Sequence, residues 1–383
     1  MALPREHEYA PVFSGRSQRN KNFAFATIAG RPVALTFIGT TGHPVGRRLA
    51  DDLMAAAEAL PTERCVLCAV TFDAKDREQE RIDERPALIV FHDEDLKIAK
   101  LYGVVEPDAT PGGSFGFRPV TFLLDERLRI ARILPIRDAE SHVQEVLQAV
   151  DALPRPGAQK LRQQAWAPVL AVPRVFEPAF CRELIAYYER EGGQPSGFMR
   201  EREGMTFGML DDAFKRRSDA GIADKRLRAA GRQRVFRRLA PAIKQAFMFD
   251  TTHIERDIVA CYDATTGGFF KAHRDNTTRA TAHRRFAVTV NLNAEDYEGG
   301  DLRFPEFGKA TYRAETGGAV VFSCSLLHEA TPVTRGKRYC YLPFLYDAEG
   351  ARVRKENVKY LDQRVLAADE KTVLFDPAQK AKA

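Results

Sequence analysis

The chain has 383 residues, 44% of them hydrophobic, and carries 58 Lys and Arg against 52 Asp and Glu, a net charge of +6. That length allows two or three domains, and so small a basic excess does not by itself mark a nucleic-acid-binding protein. No run approaches a membrane span, the start lacks the apolar core of a signal peptide, and the six cysteines show no disulfide framework, so a reducing cytoplasm is expected.

Residues 9–153 alternate apolar strands with helical patterns. Strands are expected at 33–38, 65–72 and 87–91, with a helix at 46–60 whose Leu49, Leu53, Ala56 and Leu60 repeat at helical spacing. A short helix around 96–102, a hairpin from 120–125 and 128–134, and a closing helix at 139–153 complete an α/β sheet.

This segment resembles the peroxiredoxins, a branch of the thioredoxin fold. The resemblance rests on APVF (10–13), GRPVALTF (30–37), VTFD (70–73), AKLYGV (99–104) and RPVTFLLD (118–125). It implies a peroxidatic cysteine at the start of the helix after the first of those strands, where the helix dipole and an arginine lower a thiol pKa. The chain has GTTGHPVG (39–46) there, with no cysteine, so peroxidase activity by that mechanism is not expected. Cys65 and Cys68 fall inside a strand and face opposite sides, which argues for buried structural thiols rather than a redox pair. The role expected of this domain is interaction with a protein partner or substrate positioning.

Pro154, Pro156 and Gly157 mark a linker over 154–164. Residues 166–176 read as a strand and 177–189 as a helix with Pro178 in its first turn. Residues 192–219 are rich in glycine and read as an irregular loop able to cover a site, with Phe198, Met199, Met205 and Phe207 as candidate substrate contacts. Basic residues concentrate at 215–217 and 225–238. In the second run Leu227, Val235, Leu239 and Ile243 supply an apolar stripe, so a solvated helix is expected and no nucleic acid.

Short strands rich in Val, Phe and Tyr follow at 258–262, 268–273, 285–293, 301–304, 318–323 and 338–344, punctuated by glycine pairs, as in a β-sandwich or jelly roll. Within them lie His273, Asp275, His328 and Arg338. Two imidazoles and one carboxylate make the facial triad of non-haem Fe(II) sites. If the strand ran to residue 275, His273 and Asp275 would share one face and could chelate one metal, with His328 arriving from a distant strand. A guanidinium ten residues after His328 suits a carboxylate-bearing cosubstrate. His283 has no carboxylate two residues away and reads as a supporting or structural histidine. His7, His43 and His92 lack a matching cluster.

Residues from about 165 to 347 resemble the prolyl-4-hydroxylase-type Fe(II)/2-oxoglutarate dioxygenases, on Tyr262, GGFFKAHRDN (267–276), VNLN (290–293), EGGDLRFP (298–305) and the stretch from GGAVVF (317–322) to Arg338. The resemblance implies a double-stranded β-helix with flanking helices, and Fe(II), 2-oxoglutarate and O2, often with ascorbate. It makes His273, Asp275 and His328 the iron ligands and catalytic centre, and Arg338 the partner of the distal 2-oxoglutarate carboxylate. Tyr262 and Asn291 would line the cosubstrate pocket, while Lys337 should face the other way. It implies succinate and CO2 as products. Asp275, which halogenating relatives replace by a small residue, favours hydroxylation, with demethylation and desaturation left open. The substrate would be a protein or peptide side chain, an amino acid or a small metabolite.

The expected organisation is therefore 1–153 thioredoxin-like, 154–164 linker, 165–350 dioxygenase and 351–383 charged tail. The competing readings are a thiol-dependent peroxidase or reductase, and a non-catalytic binding protein with degenerate domains.

Overall fold

Parallel strands buried on both faces, with amphipathic helices between them, organise the first of two compact units in a computed structural model that describes residues 3–6, 8–153 and 166–362. The linker 154–164, His7 and the tail beyond 362 lie outside the described residues. The first unit has a sheet of β1 (Ser14–Ser17), β2 (Phe23–Ala24), β3 (Val33–Gly39), β4 (Val66–Thr71), β5 (Leu88–His92), β6 (Val120–Leu124) and β7 (Ile130–Pro135), in the order β2-β1-β5-β4-β3-β6-β7. β3, β4 and β5 run parallel, and β6 is antiparallel to β3.

Helices α1 (Pro44–Ala59) and α4 (Ala139–Ala152) cover one face, and α2 (Ala74–Glu78) and α3 (Lys97–Leu101) are short connectors. Leu49 and Leu53 of α1 and Val143, Val146 and Val150 of α4 pack in one cluster with Ala34, Leu67, Val90 and Leu123 of the sheet. This is the thioredoxin-like α/β domain expected from the alternating pattern. Strands β1 and β2 and the helix α2 were not legible; β1 and β2 span only four and two residues, too short for a periodic signal.

The second unit comprises Trp166–Phe304 and Lys309 onward. It opens with β8 (Leu170–Val172) and α5 (Pro178–Glu191), so only part of 166–176 is a strand, and Pro178 stands in the first turn of the helix as expected. Next come β9 (Gln194–Pro195), β10 (Phe198–Arg202), β11 (Met205–Met209), β12 (Lys215–Arg216) and β13 (Ser218–Gly221). The segment 192–219, read as an irregular loop, is thus a succession of short strands, with β10 and β11 forming a hairpin about Glu203 and Gly204. At two to five residues each, the strands are too short for a clear alternation.

Helices α6 (Lys225–Arg234) and α7 (Ala240–Phe247) follow, joined by a π turn at Val235–Leu239. The remaining strands are β14 (His253–Glu255), β15 (Ile258–Asp263), β16 (Phe269–His273), β17 (Phe286–Asn291), β18 (Glu298–Gly299), β19 (Leu302–Arg303) and β20 (Thr311–Tyr312). After these come β21 (Ala319–Ser323), β22 (His328–Ala330), β23 (Val333–Arg335), β24 (Lys337–Tyr341) and β25 (Phe344–Tyr346), and α8 (Ala348–Asn357) spans the expected tail boundary.

Two sheets result. The larger runs β14-β25-β17-β24-β15-β13-β9, with β21 and β8 joined through β17; the smaller runs β12-β16-β22-β19-β20. Alternation assigns each side of the larger sheet a separate task. Val259, Cys261, Tyr339 and Tyr341 pack outward with Phe180, Leu184 and Tyr187 of α5, Leu227 of α6 and Ile243 of α7. Ile258, Ala260, Tyr262, Cys340 and Leu342 pack inward with Phe270 and Ala330 of the smaller sheet. The unit is therefore a β-sandwich of jelly-roll type, with supporting helices on its outer face. No helix of the described residues is long and apolar enough to cross a membrane.

Candidate metal centre

The two histidines are register partners. His273 on β16 lies opposite His328 on β22, and between Phe270 and His273 the register shifts, so three residues of β16 span two of β22. In a regular strand, residues 270 and 273 would face opposite sides. The bulge turns both the same way, and the Phe270 and His273 rings stack with centroids 3.5 Å apart. The strand ends at His273, so the expectation that it ran to residue 275 is corrected. Asp275 sits in the following turn, and its N–H donates to the Cys324 carbonyl at 3.0 Å.

The three side chains still converge, their ligand atoms all lying within 4.8 Å of one another. Asp275 Oδ1 is 3.6 Å from His273 Nε2, and its Oδ2 is 3.3 Å from His328 Nε2. Each Nδ1 faces a backbone carbonyl: His273 that of Lys271 at 2.7 Å, His328 that of Leu326 at 3.0 Å. A carbonyl can only accept, so both Nδ1 atoms carry a proton, and each Nε2, on the side of the carboxylate, is left as the atom able to bind a metal. Burial and the neighbouring His273 bring the His328 pKa down to about 4, leaving a neutral imidazole. Burial opposes ionisation of Asp275, but His328, His273 and Arg284 outweigh it and hold its carboxyl well below the usual range. Two imidazole nitrogens and one carboxylate fit a divalent iron ion.

Glu255 and Arg284, which the sequence did not single out, join His283 in bracing the Asp275 backbone. Glu255 on β14 accepts from His283 Nε2 at 2.5 Å and from Arg284 Nη2 at 2.6 Å, and Arg284 Nη1 reaches the Asp275 carbonyl at 3.4 Å. His283 thus lies outside the metal cluster, in a buried ion network. No motif marks Glu255, which only the pairing of distant strands brings there.

Arg338 on β24 faces inward, as alternation requires. It is 2% exposed, its Nη1 donates to the Gly300 carbonyl at 2.6 Å, and its Nε has no partner. Gly300 has φ +67°, and a Cβ there would lie 2.7 Å from Val333 Cγ2 and 3.2 Å from Arg338 Cδ, so glycine makes room for the guanidinium. Among the described residues no carboxylate pairs with Arg338. A buried cation without a counter-charge fits an anionic cosubstrate such as 2-oxoglutarate. Lys337 points the other way, 3.7 Å from Asp263.

The Tyr262 ring lies 5.1 Å from the Arg338 guanidinium carbon, and its hydroxyl accepts from Arg217 at 3.4 Å. Asn291 also faces inward from β17, but its amide nitrogen is bound to the Ala314 carbonyl at 2.6 Å and its Oδ1 has no partner. Among the described residues, no hydrogen bond joins Asn291 to the histidine–aspartate cluster.

The basic run 215–217 is not a solvated face. Lys215 and Arg217 are buried; Arg217 pairs with Asp219 at 2.6 Å, and Lys215 donates to Ser196 Oγ and the Gly197 carbonyl. The helical run behaves as expected at Leu227, Val235, Leu239 and Ile243, except that Arg232 is buried against Asp257.

In the first unit, β3 leads through Thr40 and Thr41 to His43, which caps α1 by accepting from Val45 N at 3.3 Å. Asp76 is fully buried and accepts from Thr41 N at 3.0 Å and from the hydroxyls of Thr41 and Thr71. The place of a peroxidatic thiol is thus held by a closed hydroxyl–carboxylate network.

Residues 258–346 match the 2OG-Fe(II) oxygenase superfamily model, and residues 7–133 match the AhpC/TSA family model. A PKHD-type hydroxylase of Pseudomonas fluorescens is 36% identical over 90 residues, 21% of this chain and 39% of the relative. The chain spans less than half the length of the curated relatives it matches first. A Pseudomonas putida prolyl-4-hydroxylase structure is 19% identical with a TM-score of 0.35, covering 48% of this chain and 94% of that one. Peroxidoxin BcpB from Mycobacterium tuberculosis is 17% identical with a TM-score of 0.34, covering 40% of this chain and 99% of that one. The chain therefore joins a peroxiredoxin-like, thioredoxin-fold domain to a 2OG-Fe(II) oxygenase-like jelly roll.

Proposed function

We propose that the protein is an Fe(II)- and 2-oxoglutarate-dependent dioxygenase that hydroxylates a protein or peptide side chain, an amino acid or a small metabolite. The observation that carries this reading is the pairing of a His, His, Asp cluster, its ligand atoms within 4.8 Å of one another, with a buried Arg338 that no carboxylate of the described residues pairs. Fe(II), with 2-oxoglutarate and O2, supplies the oxidative chemistry that releases succinate and CO2 and hydroxylates the substrate. His273, Asp275 and His328 would hold the ion, leaving positions open for the other reactants. Arg338 would pair with the distal carboxylate of 2-oxoglutarate, with the Tyr262 ring beside the guanidinium. Asn291 keeps a place in the pocket wall through its unpartnered Oδ1. Arg284 and Glu255 would fix the Asp275 backbone so that both carboxylate oxygens stay aimed at the imidazoles. Ascorbate is proposed as the reductant that keeps the iron ferrous.

The first domain is proposed to engage a protein partner or position substrate rather than to reduce peroxides. The organisation proposed is 1–153, a linker at 154–164, 165–350 and a tail at 351–383. All six cysteines are free, which suits the cytoplasm. Succinate released from 2-oxoglutarate in a reaction that needs added Fe(II) tests the proposal.

A further inference from the structure

The β10–β11 hairpin has two unlike faces. Cross-strand pairing puts Glu201 opposite Thr206, and this face is anchored: Glu201 accepts from Arg279 N at 2.8 Å, and Thr206 Oγ1 accepts from Ala280 N at 3.4 Å. The other face carries Phe198 opposite Met209 and Arg200 opposite Phe207. Phe198 packs on Phe214 with centroids 4.5 Å apart, and the two rings lie 6.3 Å and 5.7 Å from Phe270, which stacks on His273. A continuous aromatic wall thus runs from the hairpin to a proposed metal ligand.

Arg200 lies on this wall. Its guanidinium carbon is 5.1 Å from the Phe198 ring and 5.1 Å from the Phe214 ring, so two flat faces fix the group. Among the described residues it makes no hydrogen bond and no ion pair. Half-burial lowers its pKa, with Asp211 opposing from beyond ion-pair distance, as expected of a charge short of solvent and of counter-ion. Lys215 lies 4.7 Å from the Phe270 ring on the same wall, but its ammonium is already committed to Ser196 and Gly197. A guanidinium that is positioned but unbonded presents a planar fork of N–H donors suited to a carboxylate or phosphate.

Resting on the oxygenase reading, we propose that Arg200 binds the anionic head group, carboxylate or phosphate, of the primary substrate, whose apolar stem lies on Phe198 and Phe214. The substrate class is an organic acid rather than a neutral or cationic molecule, and Arg200 is a specificity-determining residue. Its placement makes it separate from Arg338: Arg338 is buried inside the sandwich against Tyr262, whereas Arg200 sits on the hairpin.

The test uses the full chain loaded with Mn(II) and saturated with 2-oxoglutarate, so that Arg338 is occupied. Binding of 4-phenylbutanoate, 3-phenylpropyl phosphate and the neutral 4-phenylbutanamide is read from paramagnetic relaxation of the probe protons. At least one anion is expected to bind about 10-fold or more tighter than the amide. That ratio is expected to fall to near one in Arg200→Gln and to an intermediate value in Arg200→Lys, which keeps the charge but not the planar fork; the anion that wins identifies the head group. Equal binding of anions and amide, no binding of any probe, or a ratio that survives in Arg200→Gln overturns the proposal. If Mn(II) or 2-oxoglutarate itself does not bind, the oxygenase reading falls and this proposal with it. If both bind and the anion preference is absent, this proposal alone falls.

Discussion

A guanidinium at 2% exposure with one carbonyl as its hydrogen-bond partner is costly to maintain, and Arg338 is such a group. Its position was legible from the sequence because the distal histidine and the arginine lie in one short stretch. The unpaired state was not, because it depends on what β24 faces across the sandwich. If the missing counter-charge is a 2-oxoglutarate carboxylate, Arg338→Met will raise the KM for 2-oxoglutarate by about 10- to 100-fold, the range for a charge-assisted hydrogen bond. An unchanged KM would remove Arg338 from the cosubstrate site. The Tyr262 ring stands 5.1 Å from the Arg338 guanidinium carbon, a proximity set by the pairing of β15 with β24. The Asn291 amide nitrogen donates to the Ala314 carbonyl, a tertiary pairing that a strand asparagine does not announce.

At the scale of elements, the centre depends on two features that period-two alternation cannot give. One is the bulge in β16, which ends the strand at His273 and brings Phe270 onto the face of the histidine. The other is the link from β14 to the residues just before β17, where Glu255 holds His283 and Arg284. Burial opposes ionisation of Glu255, but Arg284 and His283 outweigh it and hold its pKa well below the usual value. A carboxyl depressed in the folded state adds stability that is fully present above its unfolded pKa, about 4.3, and is lost as the pH falls below it. Glu255→Gln should therefore flatten the acid limb of the stability profile below about pH 4.3. At pH 7 it should cost roughly 3–5 kcal/mol, because Arg284 is left buried without its partner. Denaturant melts from pH 3 to 7 read both effects; a variant whose stability falls with acid as steeply as the wild type would contradict the assignment.

At the scale of the whole molecule, both architectures were legible because long, strongly patterned segments carry them: apolar strands alternating with helices in one unit, evenly spaced short strands in the other. The segment 192–219 was not, since β10 to β13 are two to five residues long and β12 and β13 pair with β16 and β15, strands distant in sequence. The absence of a peroxidatic cysteine was plain in residues 39–46, whereas the Asp76 network that takes its place appears only in three dimensions. All six cysteines are buried, and burial pushes the Cys65 thiol up to about 12 and the Cys181 thiol up to about 11. A thiol reagent at pH 8 should therefore label none of them in the folded protein and all six after denaturation, with no thiol-dependent consumption of hydrogen peroxide. One rapidly oxidised cysteine would revive the peroxidase reading.

The central claim is the oxygenase centre, and its most direct test is succinate formed from 2-oxoglutarate with Fe(II) and ascorbate, in the wild type and in His273→Ala. The account predicts slow, iron-dependent succinate release by the wild type even without the primary substrate, and none by the variant. Equal release by both proteins, or failure of the wild type to release succinate and to bind Fe(II) anaerobically, would contradict it and leave a non-catalytic binding protein as the better description.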